Sequence, residues 1–117
     1  MDDRIAVGHA AEQAVAKELE TRGYFILDLN ARDRRGELDI VVRRGREIVA
    51  VEVRSRRNSD CCAAADSVGR KKRRQVRQTM ERWLAQKPED YDEVRFFVAA
   101  VNWRDEVPEI RIYEDAF

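Results

Sequence analysis

Apolar residues recur at two spacings along the chain, which predicts two helices and five strands. A first helix is expected over residues 2–22, where Asp2 and Asp3 can cap its start and Gly23 closes it. A second helix is expected over residues 67–86, ending before Pro88. Strands are predicted over residues 24–29, 37–42, 47–54, 94–103 and 109–113.

The resulting order, αβββαββ, predicts an α/β fold with a mixed central β-sheet flanked by helices. The 117 residues are the size of one domain, so residues 1–117 are expected to form a single unit. Residues 30–35 should form a polar turn, residues 43–46 a hairpin turn, and residues 55–66 an irregular connection. The spacings of four aromatic residues suit core packing: Trp83, Phe96, Phe97 and Trp103.

The hairpin brings acidic side chains of two strands to one face of the sheet. A two- or four-residue loop centred on Arg44 and Gly45 places Asp39 opposite Ala50 and Glu37 opposite Glu52. Asp39 and Glu52 would then be diagonal neighbours, about 7–8 Å apart at the backbone. An odd loop or a bulge would change this register. The opposite face of the first hairpin strand is expected to carry Leu38, Ile40 and Val42.

Acidic residues on a packed face of the sheet need positive charge nearby to offset their mutual repulsion. Glu12 lies on the apolar stripe of the first helix and should also face the sheet. Two charges about 5 Å apart repel by about 3 kcal/mol at an effective dielectric of 20, and a bound Mg²⁺ would relieve that repulsion.

Ordinary structural roles remain open for each of these acids. Glu12 could face water at the edge of its stripe, and Glu37 could pair with Arg35 or Arg46. Glu52 and Arg54, two apart on one strand face, could simply form a salt bridge.

The charged fraction is 39%, and the net charge is zero. Residues 43–77 nevertheless carry 12 basic and only 4 acidic side chains, which predicts a positive surface. Cys61 and Cys62 are expected to be free thiols in a reducing compartment, and with His9 they make a poor zinc site. No apolar run approaches the ~20 residues of a membrane span, so we expect a cytoplasmic protein without membrane contact.

Several motifs resemble those of a known family. The Asp39 and Glu52-Val53-Arg54 pattern is similar to the D…ExK pattern of the PD-(D/E)XK nucleases. A wider set covers nearly the whole chain and resembles the YraN family, a bacterial family similar in fold to archaeal Holliday-junction resolvases. It comprises Gly8-x-x-Ala11-Glu12, Gly23-Tyr24, Asn30-x-Arg32, Gly36-Glu37-Leu38-Asp39, Val51 to Arg56, a lysine near the start of the second helix, and Ala116-Phe117.

The resemblance implies a restriction-endonuclease-like fold and a catalytic set of Glu12, Asp39, Glu52 and Arg54. Asp39, Glu52 and the Val53 carbonyl would bind Mg²⁺ or Mn²⁺. Glu12 would complete the acidic pocket, and position 54 would hold the attacking water or the scissile phosphate. Junction-cutting nucleases of similar fold act as dimers, so by analogy this protein is expected to form a homodimer.

Position 54 departs from the wider nuclease pattern, which has Lys there. Arg54 can stabilise phosphoryl charge or orient water, but it cannot act as a general base because it does not lose its proton. Lys72 matches the helix lysine of the family. Helix phase leaves Lys72 and Arg73 both near the sheet and does not choose between them.

The basic segments flank the proposed site and are expected to contact a nucleic-acid backbone. The candidates are Arg56, Arg57, Arg70, Lys71, Lys72 and Arg73. A solvated face balanced by the acidic C-terminal third is the alternative. No aromatic residues interleave with this block, so double-stranded or branched DNA is expected over single strands.

These observations lead to a first hypothesis and two alternatives. The first is a metal-dependent endonuclease that hydrolyses phosphodiester bonds in structured DNA. The second, favoured by Arg54, is a nuclease-fold protein of weak or no activity that binds nucleic acid. The third is an assembly protein whose charged faces bind other proteins.

Overall fold

The computed structural model describes residues 3–57 and 69–117, and the side chains of residues 9–56 and 69–117. Several expectations therefore lie outside the described residues. They are the cap at Asp2, the irregular connection over residues 58–66, the thiols of Cys61 and Cys62, and the helix start at Ser67.

The described elements follow the predicted order, αβββαββ. They are α1 (Asp3–Thr21), β1 (Phe25–Arg32), β2 (Glu37–Arg44), β3 (Glu47–Arg57), α2 (Arg70–Gln86), β4 (Glu93–Arg104) and β5 (Val107–Tyr113). Gly23 has a φ of 93° directly after α1, a conformation that glycine adopts readily and that ends a helix. The predicted stop at Gly23 is therefore confirmed.

The five strands form one mixed sheet in the order β1-β2-β3-β4-β5. β3 and β4 are parallel, and the other neighbouring pairs are antiparallel. A parallel pair cannot be joined by a tight turn, and here the connection contains α2. The predicted mixed α/β architecture is confirmed at this level.

The two helices cover opposite faces of the sheet. On the α1 side, Ala11, Val15 and Leu19 pack against a cluster that includes Ile40, Val42, Val49, Val51, Phe97, Ala99 and Val101. On the α2 side, Val76, Met80 and Trp83 pack against Leu38, Val41, Ile48, Ala50 and Phe96. Both faces of the central strands are buried, which explains why β3 is apolar at both parities over residues 48–51.

The predicted aromatic core is largely confirmed. Trp83, Phe96 and Phe97 are buried. Trp103 is only partly buried, and its indole N–H donates to Ser55 Oγ at 3.0 Å. Neither described helix is both long and apolar enough to cross a membrane.

Two strands are longer than predicted. β1 continues to Arg32, so the turn expected over residues 30–35 contracts to residues 33–36. β3 continues to Arg57 instead of ending at residue 54, because β4 pairs with it as far as Arg57–Trp103. A neighbouring strand supplies hydrogen-bond partners that local polarity does not reveal.

The predicted hairpin register is wrong by two residues. The turn is Gly45–Arg46, with a φ of 60° at Gly45, and pairing runs from Arg44–Glu47 to Ile40–Val51. Glycine at the first position of a two-residue loop is a favoured hairpin geometry. Ala50 therefore lies opposite Val41 rather than Asp39. Asp39 and Glu52 are the next residues of the two strands beyond the last pair, Ile40–Val51, so the predicted diagonal pairing does not occur.

The expectation that Leu38 shares a face with Ile40 and Val42 is also wrong. Leu38 packs on the α2 side, whereas Ile40 and Val42 pack on the α1 side. β2 pairs with β3 only as far as Ile40, but it remains paired with β1 as far as Glu37. Simple alternation fails where β2 leaves β3, and Asp39 lies at this point.

A network of polar contacts fixes the loop between β1 and β2 to α2. Arg82 donates from Nε to Asp33 Oδ2 at 2.6 Å and from Nη2 to Asp33 Oδ1 at 3.2 Å. Asp33 Oδ1 also accepts the backbone N–H groups of Arg35 and Gly36, at 2.8 and 2.9 Å. Arg82 Nη2 donates to Thr79 Oγ1 at 3.1 Å. The loop is thus closed internally and attached to the helix.

Gly36 is required by the close approach of this loop to Thr79. A Cβ at position 36 would overlap Thr79 Oγ1, which is held by its bond to the Gln75 carbonyl. We expect Gly36→Ala to lower the free energy of unfolding by about 1–3 kcal/mol, the usual cost of overpacking. Adding Thr79→Ala should recover part of this loss in urea denaturation. An equal loss with and without Thr79→Ala would contradict the contact.

Candidate metal centre

The Asp39 and Glu52 carboxyl groups lie in hydrogen-bonding contact with each other. Asp39 stands where β2 separates from β3, and Glu52 lies in the middle of β3. The Val53 backbone N–H donates to Asp39 Oδ2 at 2.8 Å and holds that carboxyl group in place. The structure therefore brings together the two acids that the sequence singled out.

Two cations approach the same oxygen of Glu52. Lys72 Nζ lies 3.3 Å from Glu52 Oε1, and Arg54 Nη2 lies 3.8 Å from it. The Glu52 side chain is only 5% exposed, while those of Lys72 and Arg54 are about one third exposed. Helix phase had left Lys72 and Arg73 equivalent, and the structure brings Lys72 to Glu52. The expected Glu52–Arg54 pair is present, but it is the longer of the two contacts.

Burial raises the pKa of both acids. Desolvation and the neighbouring Asp39 raise the pKa of Glu52 to about 7, although Lys72 and Arg54 act in the opposite direction. Desolvation also raises the pKa of Asp39, against the lowering effect of the Val53 N–H. Asp39 therefore disfavours the charged form of Glu52, whereas a hydrogen bond from Glu52 favours the charged form of Asp39. Added positive charge would favour the charged form of Glu52.

Arg54 has an unsatisfied donor beside this pair. Its Nε is buried and has no hydrogen-bond partner among the described residues. A buried donor without an acceptor costs about 1–3 kcal/mol. An oxygen of a bound ligand at this position would remove that cost.

Glu12 lies near the pair without joining it. Burial raises the pKa of Glu12 most. The Asn30 side-chain amide donates a hydrogen bond to Glu12 and lowers this pKa, whereas Asp39 and Glu37 raise it by repulsion. Across the described residues, no group of three or more acidic, histidine or cysteine side chains could hold a metal ion. The expected convergence of three or four carboxylates thus reduces to Asp39 and Glu52, with Glu12 alongside.

Glu37 is exposed and pairs with Arg32 at 3.2 Å. It does not use either of the partners considered from the sequence. Arg46 instead binds Asp90 and Asp92 across the sheet end. Glu37 still contributes electrostatically, because it raises the pKa values of both Asp39 and Glu12.

The Asp39–Glu52 pair fits a magnesium ion. Mg²⁺ prefers hard oxygen donors and is commonly held by one or two carboxylates together with waters and substrate phosphate oxygens. The buried Glu52 and the half-buried Asp39, in contact and with raised pKa values, supply that donor set, and a divalent cation would favour their charged forms. The Val53 carbonyl remains a predicted third ligand.

Further basic residues flank Lys72 in α2 and follow Arg54 in β3. Arg70 and Lys71 are exposed, Arg73 is half-buried, and Arg56 is exposed at the end of β3. The side chain of Arg57 lies outside the described residues. Gly69 caps α2 without a side-chain hydrogen bond, and no acidic residue lies in the first turn. Cations at a helix N-terminus are unfavourable by themselves, so their concentration here needs another reason.

Comparison with known proteins identifies the family. Residues 11–101 match the model of the family described as "Uncharacterised protein family UPF0102". The chain belongs to this family. A UPF0102 protein of Geotalea uraniireducens is 40% identical over 116 residues, covering 98% of this chain and 91% of the relative. A UPF0102 protein of Anaeromyxobacter sp. is 37% identical over 115 residues, covering 98% and 86%.

The UPF0102 relatives include the protein whose family the motifs resemble. The UPF0102 protein YraN of Salmonella newport is 38% identical over 116 residues, covering 97% of this chain and 86% of the relative. The resemblance inferred from the sequence is therefore confirmed.

Sequence reasoning missed several residues that shape this UPF0102 site. Asp33, three residues before Gly36, is a recognisable signal for a side-chain-closed turn. Its partner Arg82 is 49 positions away and carries no local signal. Asn30, which supports Glu12, was assigned to a turn, although it lies within β1 with a φ of 52°.

The raised pKa of Glu52 predicts a pH-dependent stability without metal. Between pH 4.5 and about 7 the folded protein keeps a proton that the unfolded chain has released. The stability of the folded state therefore falls as pH rises through this window. We expect Glu52→Gln to exceed wild type by on the order of 2 kcal/mol at pH 8, and to match it near pH 4, in urea denaturation with EDTA.

Glu81→Gln is the matched control, because Glu81 is exposed on α2. Its stability relative to wild type should change little with pH. The same Glu52→Gln difference at pH 4 and pH 8 would show that the carboxyl group is not desolvated as described.

Proposed function

We propose that this UPF0102 protein is a metal-dependent endonuclease that hydrolyses phosphodiester bonds in structured DNA. The observation that carries the proposal is the contact between Asp39 and Glu52, buried beside Lys72 and Arg54. The two carboxylates are hard oxygen donors that suit a divalent ion, and the two cations beside them suit a phosphate group.

Mg²⁺ or Mn²⁺ at Asp39 and Glu52 would act as a Lewis acid and lower the pKa of a bound water. The Arg54 guanidinium, with its free Nε, is suited to donate to a phosphate oxygen. Lys72 is partly exposed and close enough to the carboxylates to contact the same phosphate. Glu12 adds negative charge beside Asp39 from α1.

The fold and the surface are compatible with this assignment. The proposal takes the β1–β5 sheet, with helices on both faces, as a restriction-endonuclease-like core similar to that of Holliday-junction resolvases. Exposed cations lie at the start of α2, next in sequence to Lys72, and at the end of β3, two residues after Arg54. Phosphate contacts by such residues supply most non-specific affinity for nucleic acid.

The principal test is cleavage of linear and branched DNA by purified protein with Mg²⁺ or Mn²⁺. We expect cleavage that stops with EDTA and falls more than about 100-fold in Asp39→Asn and in Glu52→Gln, as for other losses of charge stabilisation.

Glu20→Gln, at an exposed position of α1, is the matched control and should cut like wild type. Cleavage by Asp39→Asn at the wild-type rate would refute the assignment. Mg²⁺ titrated into wild type and Glu52→Gln by calorimetry reports metal binding independently of cleavage.

A nucleic-acid-binding protein without efficient cleavage is the second candidate. It is favoured by Arg54, because arginine cannot serve as the general base available to nucleases with lysine at this position. This candidate predicts salt-dependent DNA binding that does not require Asp39, and no cleavage with any divalent ion.

Both candidates predict that exposed cations of α2 contact phosphates. Lys71→Ala should weaken duplex binding and reduce the slope of log K against log [salt] by about 1, the release of one counterion. Lys17→Ala, on the exposed surface of α1, is the charge-matched control and should leave the slope unchanged. Fluorescence anisotropy between 50 and 200 mM salt measures both. Equal slopes for wild type and Lys71→Ala would show that Lys71 does not contact a DNA phosphate.

A further inference from the structure

A polar cleft lies between α2 and the loop that joins β1 to β2. Its volume is about 290 Å³. Its lining includes Arg32, Glu37, Lys72, Gln75, Val76 and Thr79. Pockets for small molecules usually measure about 300–1,000 Å³, so this cleft, at the lower limit of that range, has room for at most one nucleotide and none for a duplex.

The cleft opens directly beside the acid pair. Lys72 lines the cleft, and its Nζ lies 3.3 Å from Glu52 Oε1. Glu37, also in the lining, stands two residues before Asp39 on β2. A strand whose phosphate lies at Asp39 and Glu52 would therefore present its neighbouring nucleotide to this cleft.

The outer wall of the cleft is held in place. Asp33 closes the loop through the N–H groups of Arg35 and Gly36, and Arg82 attaches it to α2. Gly36 approaches Thr79 so closely that a Cβ would overlap its hydroxyl oxygen. A site with fixed walls binds a ligand without first paying the entropy of ordering a loop.

The chemistry of the lining suits a nucleotide. Arg32 and Lys72 are cations at the cleft, and Arg32 is exposed although it pairs with Glu37. The exposed Gln75 has an amide that offers both a donor and an acceptor, as a base edge requires. Val76 also lines the cleft but is only 2% exposed, so the accessible lining is mainly polar.

We propose that this cleft binds one unpaired nucleotide next to the cleaved phosphodiester bond. The inference rests on the proposed function, because it places the cleaved phosphate at Asp39 and Glu52. Bases in an intact duplex are stacked and paired and cannot enter a cleft of this size, whereas an unpaired base can turn out of the stack. The preferred substrate then carries an unpaired nucleotide, as in a bulge or at a junction between single and double strands.

The test compares two duplexes that differ by one bulged nucleotide. Binding of the full chain is measured by fluorescence anisotropy in EDTA, so that no cleavage contributes. Wild type should bind the bulged duplex about tenfold more tightly than the paired one. Gln75→Glu places a negative charge in the cleft without changing the side-chain size, and should remove this preference. Gln78→Glu adds the same charge at an exposed position outside the cleft lining, and should keep it.

The possible results separate this inference from the proposed function. Equal binding of both duplexes by wild type, or an unchanged preference in Gln75→Glu, overturns the cleft assignment even if Asp39→Asn abolishes cleavage. If the preference for the bulged duplex is lost in Gln75→Glu but kept in Gln78→Glu, the cleft assignment is supported, even if no divalent ion supports cleavage.

Discussion

The contact between Asp39 and Glu52 is the constraint around which the rest of this structure is arranged. Burial raises the pKa of both acids, and Asp39 raises that of Glu52 further, so the charged form of Glu52 needs compensation. Lys72 and Arg54 supply it from α2 and β3, and the Val53 N–H favours the charged form of Asp39. β2 is not paired with β3 before Ile40, and Asp39 lies in that unpaired part of β2. A divalent cation would add the remaining positive charge.

This arrangement depends on the relative position of α2 and β2, which supply Lys72 and Asp39. The β1–β2 loop connects these two elements. It is attached to α2 by the Asp33–Arg82 contacts and by the close approach of Gly36 to Thr79. The Arg82 guanidinium and two backbone N–H groups lower the pKa of Asp33 to about 2. Asp33 therefore stays ionised, and its contribution is lost only as pH falls below about 4 toward 2. The same contacts form the wall of the adjacent cleft, so one structural device serves both sites.

Local patterns predicted the elements well and their ends less well. The helix stop at Gly23, the valines of β3 and the αβββαββ order depend on neighbours in sequence, and all are present. The continuation of β3 to Arg57 depends on pairing with β4, which is more than 40 residues away. The face of Leu38 depends on β2 leaving β3. Interactions between distant segments overrode alternation at these points.

The sequence alone determined the family and singled out the two carboxylates, because motif spacing is a local property of the chain. Side-chain parity did not place them, because alternation fails between Leu38 and Ile40 and the predicted hairpin pairing was wrong. Only the tertiary structure decided that these acids touch, that Lys72 reaches Glu52, and that Arg82 holds Asp33. Each of these contacts joins segments that are far apart in sequence, and packing of the whole chain sets the distance between them.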